Sequence, residues 1–127
     1  MNVLFVCVGN QGRSVMAQRL FERAADGKHA ARSAGSAPGD APHPQVVEVL
    51  REVGIDASDH VPHKLNDADL EWADLAVSVC SDEVCPITLG VERIRWDIPD
   101  PIAMPIEQVR DVRDEIGRRV EELAREL

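Results

Sequence analysis

The chain has 127 residues, 44% hydrophobic and 29% charged, which suits one domain with a substantial core; with no Tyr, two Phe and two Trp, that core must be Val, Leu, Ile and Ala. Fourteen basic against 23 acidic residues leave a net charge of −9, which argues against nucleic acid or an anionic membrane as the main partner, and no apolar run is long enough to span a bilayer. Three cysteines, an odd number, do not make a simple disulfide framework, and Met1-Asn2 leads straight into an apolar segment without the n-region or cleavage site of a signal peptide, so the expected compartment is a reducing cytosol, where cysteines are catalytic, redox-active or metal-bound.

Residues 3–6 (VLFV) read as a short buried strand. A helix is expected over 14–25, with Val15, Met16, Leu20 and Phe21 on one face and Arg19, Glu22 and Arg23 on the other. Ser14 suits its N-cap or first turn, and Gly27 its stop. A weaker strand follows at 30–34, then a Gly/Pro-rich loop, GSAPGDAPHP, at 35–44. Pro44 fits the first turn of the next helix, 45–53, which ends at Gly54. Residues 56–64 are irregular, 67–72 form a short helix, 75–79 a continuous apolar strand and 93–96 a shorter one. The segment 97–105 carries three prolines and is expected to be loop. Val109, Val112, Ile116, Val120 and Leu123 then mark one face of a final helix, 106–127. Strands alternating with helices predict a single domain, 1–127, of the doubly wound α/β class: about four parallel strands flanked by helices. Ligands of such sheets bind beyond the carboxyl ends of the strands.

Cys7 falls at such a strand end, in CVGNQGRS. A turn between strand and helix makes an anion site, because its N–H groups point inward and the helix start adds partial positive charge. Val8, Gly9, Asn10, Gln11, Gly12, Arg13 and Ser14 are the candidate oxyanion-binding residues. Gly9 and Gly12 would free the backbone to curl, Arg13 would add a planar fork, and Asn10 would brace the loop by bonding backbone groups. These donors are local and act despite the acidic surface. The field that binds an anion also favours a thiolate at Cys7, a nucleophile in line with a bound tetrahedral oxyanion. Ser14 would donate a hydrogen bond to its sulfur. A cysteine alone is more often simply buried; Cys-x5-Arg-Ser between strand and helix is far more specific.

CVGNQGRS resembles the phosphate-binding loop of the low-molecular-weight protein tyrosine phosphatase fold, a family that includes phosphatases and thioredoxin-linked arsenate reductases. The likeness extends over nearly the whole chain and implies a small parallel sheet flanked by helices. It implies that Asp100, in Asp100-Pro101, is the general acid that protonates the leaving oxygen. Asp97 is the rival, more simply read as a strand-end residue.

Cys80, after the apolar strand, and Cys85, four residues beyond it, point to one branch of that family. In the arrangement of thioredoxin-coupled arsenate reductase, Cys7 attacks arsenate, Cys80 attacks Cys7 to release arsenite, and Cys85 attacks Cys80. An external thiol reductant, thioredoxin or a mycothiol/mycoredoxin system, then resets the enzyme. RIRWDIPDP also resembles that branch, whereas the phosphatase branch usually has a second cysteine inside the first loop and tyrosines after Asp-Pro. Two features depart from the pattern: the gap between Cys80 and Cys85 is short, and Gln18 stands where a related reductase has an acidic residue for a monovalent cation. No metal site is carried over. The cysteine spacing does not match structural zinc either, and His29, His43, His60 and His63 read as surface residues. The expected activity is therefore arsenate reduction. The alternatives are phosphomonoester hydrolysis through a Cys7 phospho-intermediate, a mycothiol-dependent arsenate transferase, and a non-catalytic oxyanion sensor.

Overall fold

The structure, a computed structural model, describes residues 1–80 and 90–127. Its elements run β1 (Asn2–Cys7), α1 (Arg13–Ala25), β2 (Ala30–Gly35), α2 (Pro44–Arg51), α3 (Asp67–Trp72), β3 (Leu75–Cys80), β4 (Glu92–Asp97) and α4 (Ile106–Glu126). The strands form one sheet in the order β2-β1-β3-β4, with every neighbouring pair parallel. The chain leaves β1 for β2 on one side and returns for β3 on the other. The carboxyl ends of β1 and β3 therefore flank the switch point, where a doubly wound sheet opens a crevice.

The period-two alternation of the strands sorts the core into two layers. Val3 and Phe5 of β1 join Leu75, Val77 and Val79 of β3 and Trp96 of β4 against α1, α2 and α4. With so few aromatics, Phe5 becomes the hub: its ring lies 5.5 Å from Phe21 and 6.0 Å from Trp96, centroid to centroid. Leu4, Val6 and Ala34 face the other way, against Leu65, Leu70, Trp72 and Ala73. Ser78, paired with Val6 in the ladder, is fully buried, and its Oγ finds no hydrogen-bond partner among the described residues. An unsatisfied buried hydroxyl costs roughly 1–3 kcal/mol. Ser78→Ala is accordingly expected to raise stability by about 1 kcal/mol in urea unfolding; a loss of stability would mean that the hydroxyl has a partner.

Local chemistry accounts for where the elements end. α1 stops where Asp26 (φ 48°) and Gly27 (φ 81°) enter the left-handed region. α2 stops at Arg51, short of the expected 53, because Gly54 at φ 85° lets its own N–H and that of Ile55 turn back onto the carbonyls of Arg51 and Leu50. α3 closes a reciprocal cap: Asn66 accepts from the Asp69 N–H while Asp69 accepts from the Asn66 N–H. One expectation fails. The proline-rich segment is not wholly irregular, because Pro101–Ala103 forms a single 3-10 turn. Pro101 stands at its first position, where a missing N–H costs nothing, and Asp100 caps it by accepting from the Ile102 N–H at 3.1 Å.

Candidate active site

Cys7 ends β1, and the chain then curls for five residues before α1 begins at Arg13. The segment 36–43, after β2, wraps this curl from outside. The N–H groups of Ser36, Ala37, Gly39 and His43 donate to the carbonyls of Cys7, Val8, Gly9 and Gln11 at 3.2, 2.9, 3.1 and 3.0 Å. Within a trans peptide the N–H points opposite to the C=O. Turning those four carbonyls outward therefore turns the N–H groups of Val8, Gly9, Asn10 and Gly12 inward. That of Asn10 meets the Cys7 sulfur at 3.3 Å. The result is a concave array of donors at the start of a helix, an arrangement suited to an anion even in a protein of net charge −9.

The resulting cavity, about 240 Å³, is lined by Cys7, residues 8, 9 and 11–13 of the turn, Ala37, His43, Asp100 and Ile102. Cys7, Arg13 and Asp100 thus come together from three separate parts of the chain. Arg13 is 5% exposed. Its Nη1 donates to the Ile98 carbonyl at 3.0 Å, and its Nη2 lies 3.7 Å from Asp100 Oδ2. A larger hollow of about 610 Å³ lies between α1 and the end of α4, around Lys28, His29, Glu121 and Arg125. It has no thiol and no converging turn.

Asn10 and Ser14 lie beneath the cavity rather than in its wall. Both are fully buried. The His63 N–H donates to Asn10 Oδ1 at 2.9 Å, which orients the amide, and Asn10 Nδ2 donates to Ser14 Oγ at 2.8 Å. Ser14 Oγ in turn lies within hydrogen-bond distance of Cys7 Sγ, 2.9 Å away. A chain of hydrogen bonds thus runs from the His63 backbone through Asn10 and Ser14 to the sulfur. Cys7 is a free thiol, whereas Cys80 is disulfide-bonded and fully buried at the carboxyl end of β3. Asp97 ends β4 opposite Cys80 and takes no part in the cavity wall. Cys85 lies outside the described residues.

The sequence matches the profile of the low molecular weight phosphotyrosine protein phosphatases over residues 2–127. The chain belongs to that family. An arsenate reductase of Brevibacillus brevis is 36% identical over 96% of this chain and 92% of its own. The crystal structure of an arsenate reductase from Archaeoglobus fulgidus superposes with a TM-score of 0.84 at 33% identity, covering 96% of this chain and 98% of that one. A thioredoxin-dependent arsenate reductase of Corynebacterium glutamicum gives 0.81 at 33% identity, over 98% of this chain but only 60% of that longer one.

Within this phosphatase-family fold, two supports of the site differ from the sequence expectation. The first concerns glycine. The turn residue with positive φ is Asn10, at 51°, and neither Gly9 nor Gly12; asparagine tolerates that region better than most residues. The glycine that the turn needs is Gly35, at the end of β2. A Cβ there would stand 2.4 Å from the Val8 carbonyl oxygen and 3.0 Å from the Asn10 nitrogen, both backbone. Gly35→Ala must push the turn inward, and a displacement near 1 Å costs on the order of 100-fold in rate. The expected result is that loss in kcat/KM, with weaker phosphate binding measured alongside; an unchanged affinity would show that the turn is not held from this side.

The second concerns histidine. His60 is not a free surface residue, and His63, exposed as expected, is tied down by hydrogen bonds. His60 is half-buried, and its Nε2 lies 3.0 Å from the Asn10 carbonyl and 3.2 Å from Asn10 Oδ1. Both are acceptors, so Nε2 carries the proton. His63 Nε2 donates to buried Asp69 at 2.7 Å, and Arg32 stands 3.7 Å from the other oxygen of that carboxylate. His43, also read as surface, lines the cavity wall. Burial holds the His60 imidazole below its ordinary value, against the pull of its bond to Asn10. A histidine with a depressed folded pKa binds fewer protons folded than unfolded just below pH 6.5, so stability rises with pH there. His60→Gln keeps an N–H donor and loses the titration. The wild-type advantage over it, followed by urea unfolding, is expected to be full above about pH 6.5 and to shrink as the pH falls below that value. A pH-independent difference would remove His60 as its source.

Proposed function

We propose that the protein reduces arsenate to arsenite with electrons from thiols. The observation that carries this reading is the meeting of Cys7, Arg13 and Asp100 in one cavity, with a further cysteine ending the strand next to the one that Cys7 ends. Arsenate binds to the inward N–H groups and the Arg13 fork. The Cys7 thiolate attacks arsenic, an As–O bond breaks, and Asp100 protonates the departing oxygen. Cys80 then attacks the Cys7 sulfur. A sulfur–sulfur bond forms, the sulfur–arsenic bond breaks, and its electron pair stays on arsenic, which leaves as arsenite. Cys85 transfers the disulfide to Cys80–Cys85, and an external thiol reductant reduces it. Relatives named arsenate reductase, one of them thioredoxin-dependent, support thioredoxin as that reductant; mycothiol with mycoredoxin is the alternative. These thiol steps suit a reducing cytosol.

Phosphomonoester hydrolysis is the second reading, favoured by the fact that Cys7, Arg13 and Asp100 suffice for it and that the family carries its name. The test is arsenate-dependent NADPH consumption with thioredoxin and its reductase, run beside a mycothiol/mycoredoxin system and a phosphate-ester assay. Arsenate-dependent turnover that is lost in Cys80→Ser is expected. Full turnover in Cys80→Ser would refute the intramolecular relay, and ester hydrolysis without arsenate reduction would select the phosphatase.

A further inference from the structure

One residue, Ile98, links the arginine of the cavity to the strand that ends in Cys80, through the two peptide groups that flank its Cα. Arg13 Nη1 donates to the Ile98 carbonyl at 3.0 Å, and the Ile98 N–H donates to the Cys80 carbonyl at 3.0 Å. Cys80 is also held in the ladder opposite Asp97. Ile98 is 1% exposed and its side chain sits in the main core, so its backbone cannot drift toward one partner while keeping the other.

Alternation along the strands adds a geometric demand. Val6 and Ser78 are ladder partners, and Val6 packs in the second layer, while Val79 packs in the first. Cys7, one step past Val6, therefore points to the first-layer side, and Cys80, one step past Val79, to the other. Cys80, disulfide-bonded in this structure, is 0% exposed there. It cannot reach the Cys7 sulfur without leaving its register, and leaving breaks the bond from the Ile98 N–H.

We propose that Ile98 is a positioning residue that couples the two halves of the reaction. Through its core-anchored backbone, the hold of Arg13 on a tetrahedral oxyanion and the docking of Cys80 at the end of β3 stabilise each other. The inference rests on the arsenate-reductase reading. A bound dianion fixes the Arg13 fork, which steadies the Ile98 carbonyl and, through its N–H, the Cys80 carbonyl. In the other direction, Cys80 leaves its register as its sulfur bonds to that of Cys7 and the arsenic departs with the electron pair of the broken bond. Arg13 loosens in the same step. The oxyanion is thus held up to thiol attack and let go as the disulfide forms.

Such coupling is reciprocal, which makes it measurable without arsenate. The probe is inorganic phosphate, an oxyanion that thiols do not reduce, added to the fully reduced Cys7→Ser protein at constant ionic strength. Iodoacetamide labelling of Cys80, read by peptide mass spectrometry, is expected to slow about fivefold or more with saturating phosphate. Protein already carboxamidomethylated at Cys80, where a buried site has no room for the added group, is expected to bind phosphate more weakly by the same factor. Cys80→Ser, with nothing to displace the strand, should bind it as the parent does. In Arg13→Lys, whose ammonium cannot hold the Ile98 carbonyl and the ion together, phosphate at a concentration that saturates its weaker site should no longer protect Cys80. Labelling indifferent to phosphate, unequal factors in the two directions, or protection that survives Arg13→Lys each overturns the proposal. Loss of arsenate turnover in Cys80→Ser would still stand in that event, so the two readings fail separately.

Discussion

Cys7→Ser is expected to abolish turnover of arsenate and of phosphate esters alike, by on the order of 10⁴-fold or more, the scale seen when a nucleophile is removed from a catalytic unit. The substitution leaves the donor set in place. The inward N–H groups are held by carbonyls bonded to the 36–43 segment, Arg13 is held by Ile98, and a serine hydroxyl can still engage Ser14. What disappears is a sulfur nucleophile towards which Asn10 N–H and the Ser14 hydroxyl are aimed, at 3.3 and 2.9 Å. A serine hydroxyl shares neither the acidity nor the nucleophilicity of a thiol. Serine also cannot carry the negative charge that a thiolate would set against the anion. Calorimetric titration is therefore expected to give a phosphate affinity equal to or tighter than the parent's. Residual turnover of either substrate would sink the shared covalent mechanism. Loss of phosphate binding would mean instead that Cys7 shapes the loop.

What the sequence could disclose follows from how local each feature is. Cys7, Arg13 and Ser14 are legible because a strand, a turn and a helix within a dozen residues fix their relative placement. The strand order puts Cys7 and Cys80 at the ends of adjacent strands, as continuous apolar runs separated by helices lead one to expect. Asp100 needed the family resemblance, since an aspartate before proline is common in turns. The supports of the loop were not legible. Asn10 meets His60 and His63 across 50 and 53 residues of sequence, and histidines in an irregular segment carry no periodic signal that reports burial. Gly35 offered only a weak signal, a glycine at the junction of a strand and a loop, since its requirement arises from the Val8 carbonyl that packs over it. His43 was likewise hidden, because its place on the cavity wall depends on the 36–43 segment folding back over the turn.

Arg13→Lys is the second change expected to be severe, although it keeps the charge. The side chain is only 5% exposed, with one guanidinium nitrogen committed to the Ile98 carbonyl and another 3.7 Å from Asp100. A planar fork can keep these contacts and still present N–H groups to two oxygens of one tetrahedral ion; a lysine ammonium is a point donor on a flexible stem. The ammonium must choose between the Ile98 carbonyl and the oxyanion. Either choice loses: one leaves the ion without its clamp, the other leaves a buried carbonyl without its donor, at roughly 1–3 kcal/mol. Removing a single preorganised donor to a developing oxyanion costs on the order of 100- to 1,000-fold in kcat, and kcat/KM is expected to fall at least that far, since ground-state phosphate affinity falls too. The contact with Asp100 contributes little to this, because that carboxylate is 47% exposed and such pairs are worth at most about 1 kcal/mol. Steady-state kinetics beside phosphate titration separates the two losses. A variant that kept its kcat and raised only KM would assign Arg13 to ground-state binding alone, and its fork would then have no part in stabilising the transition state.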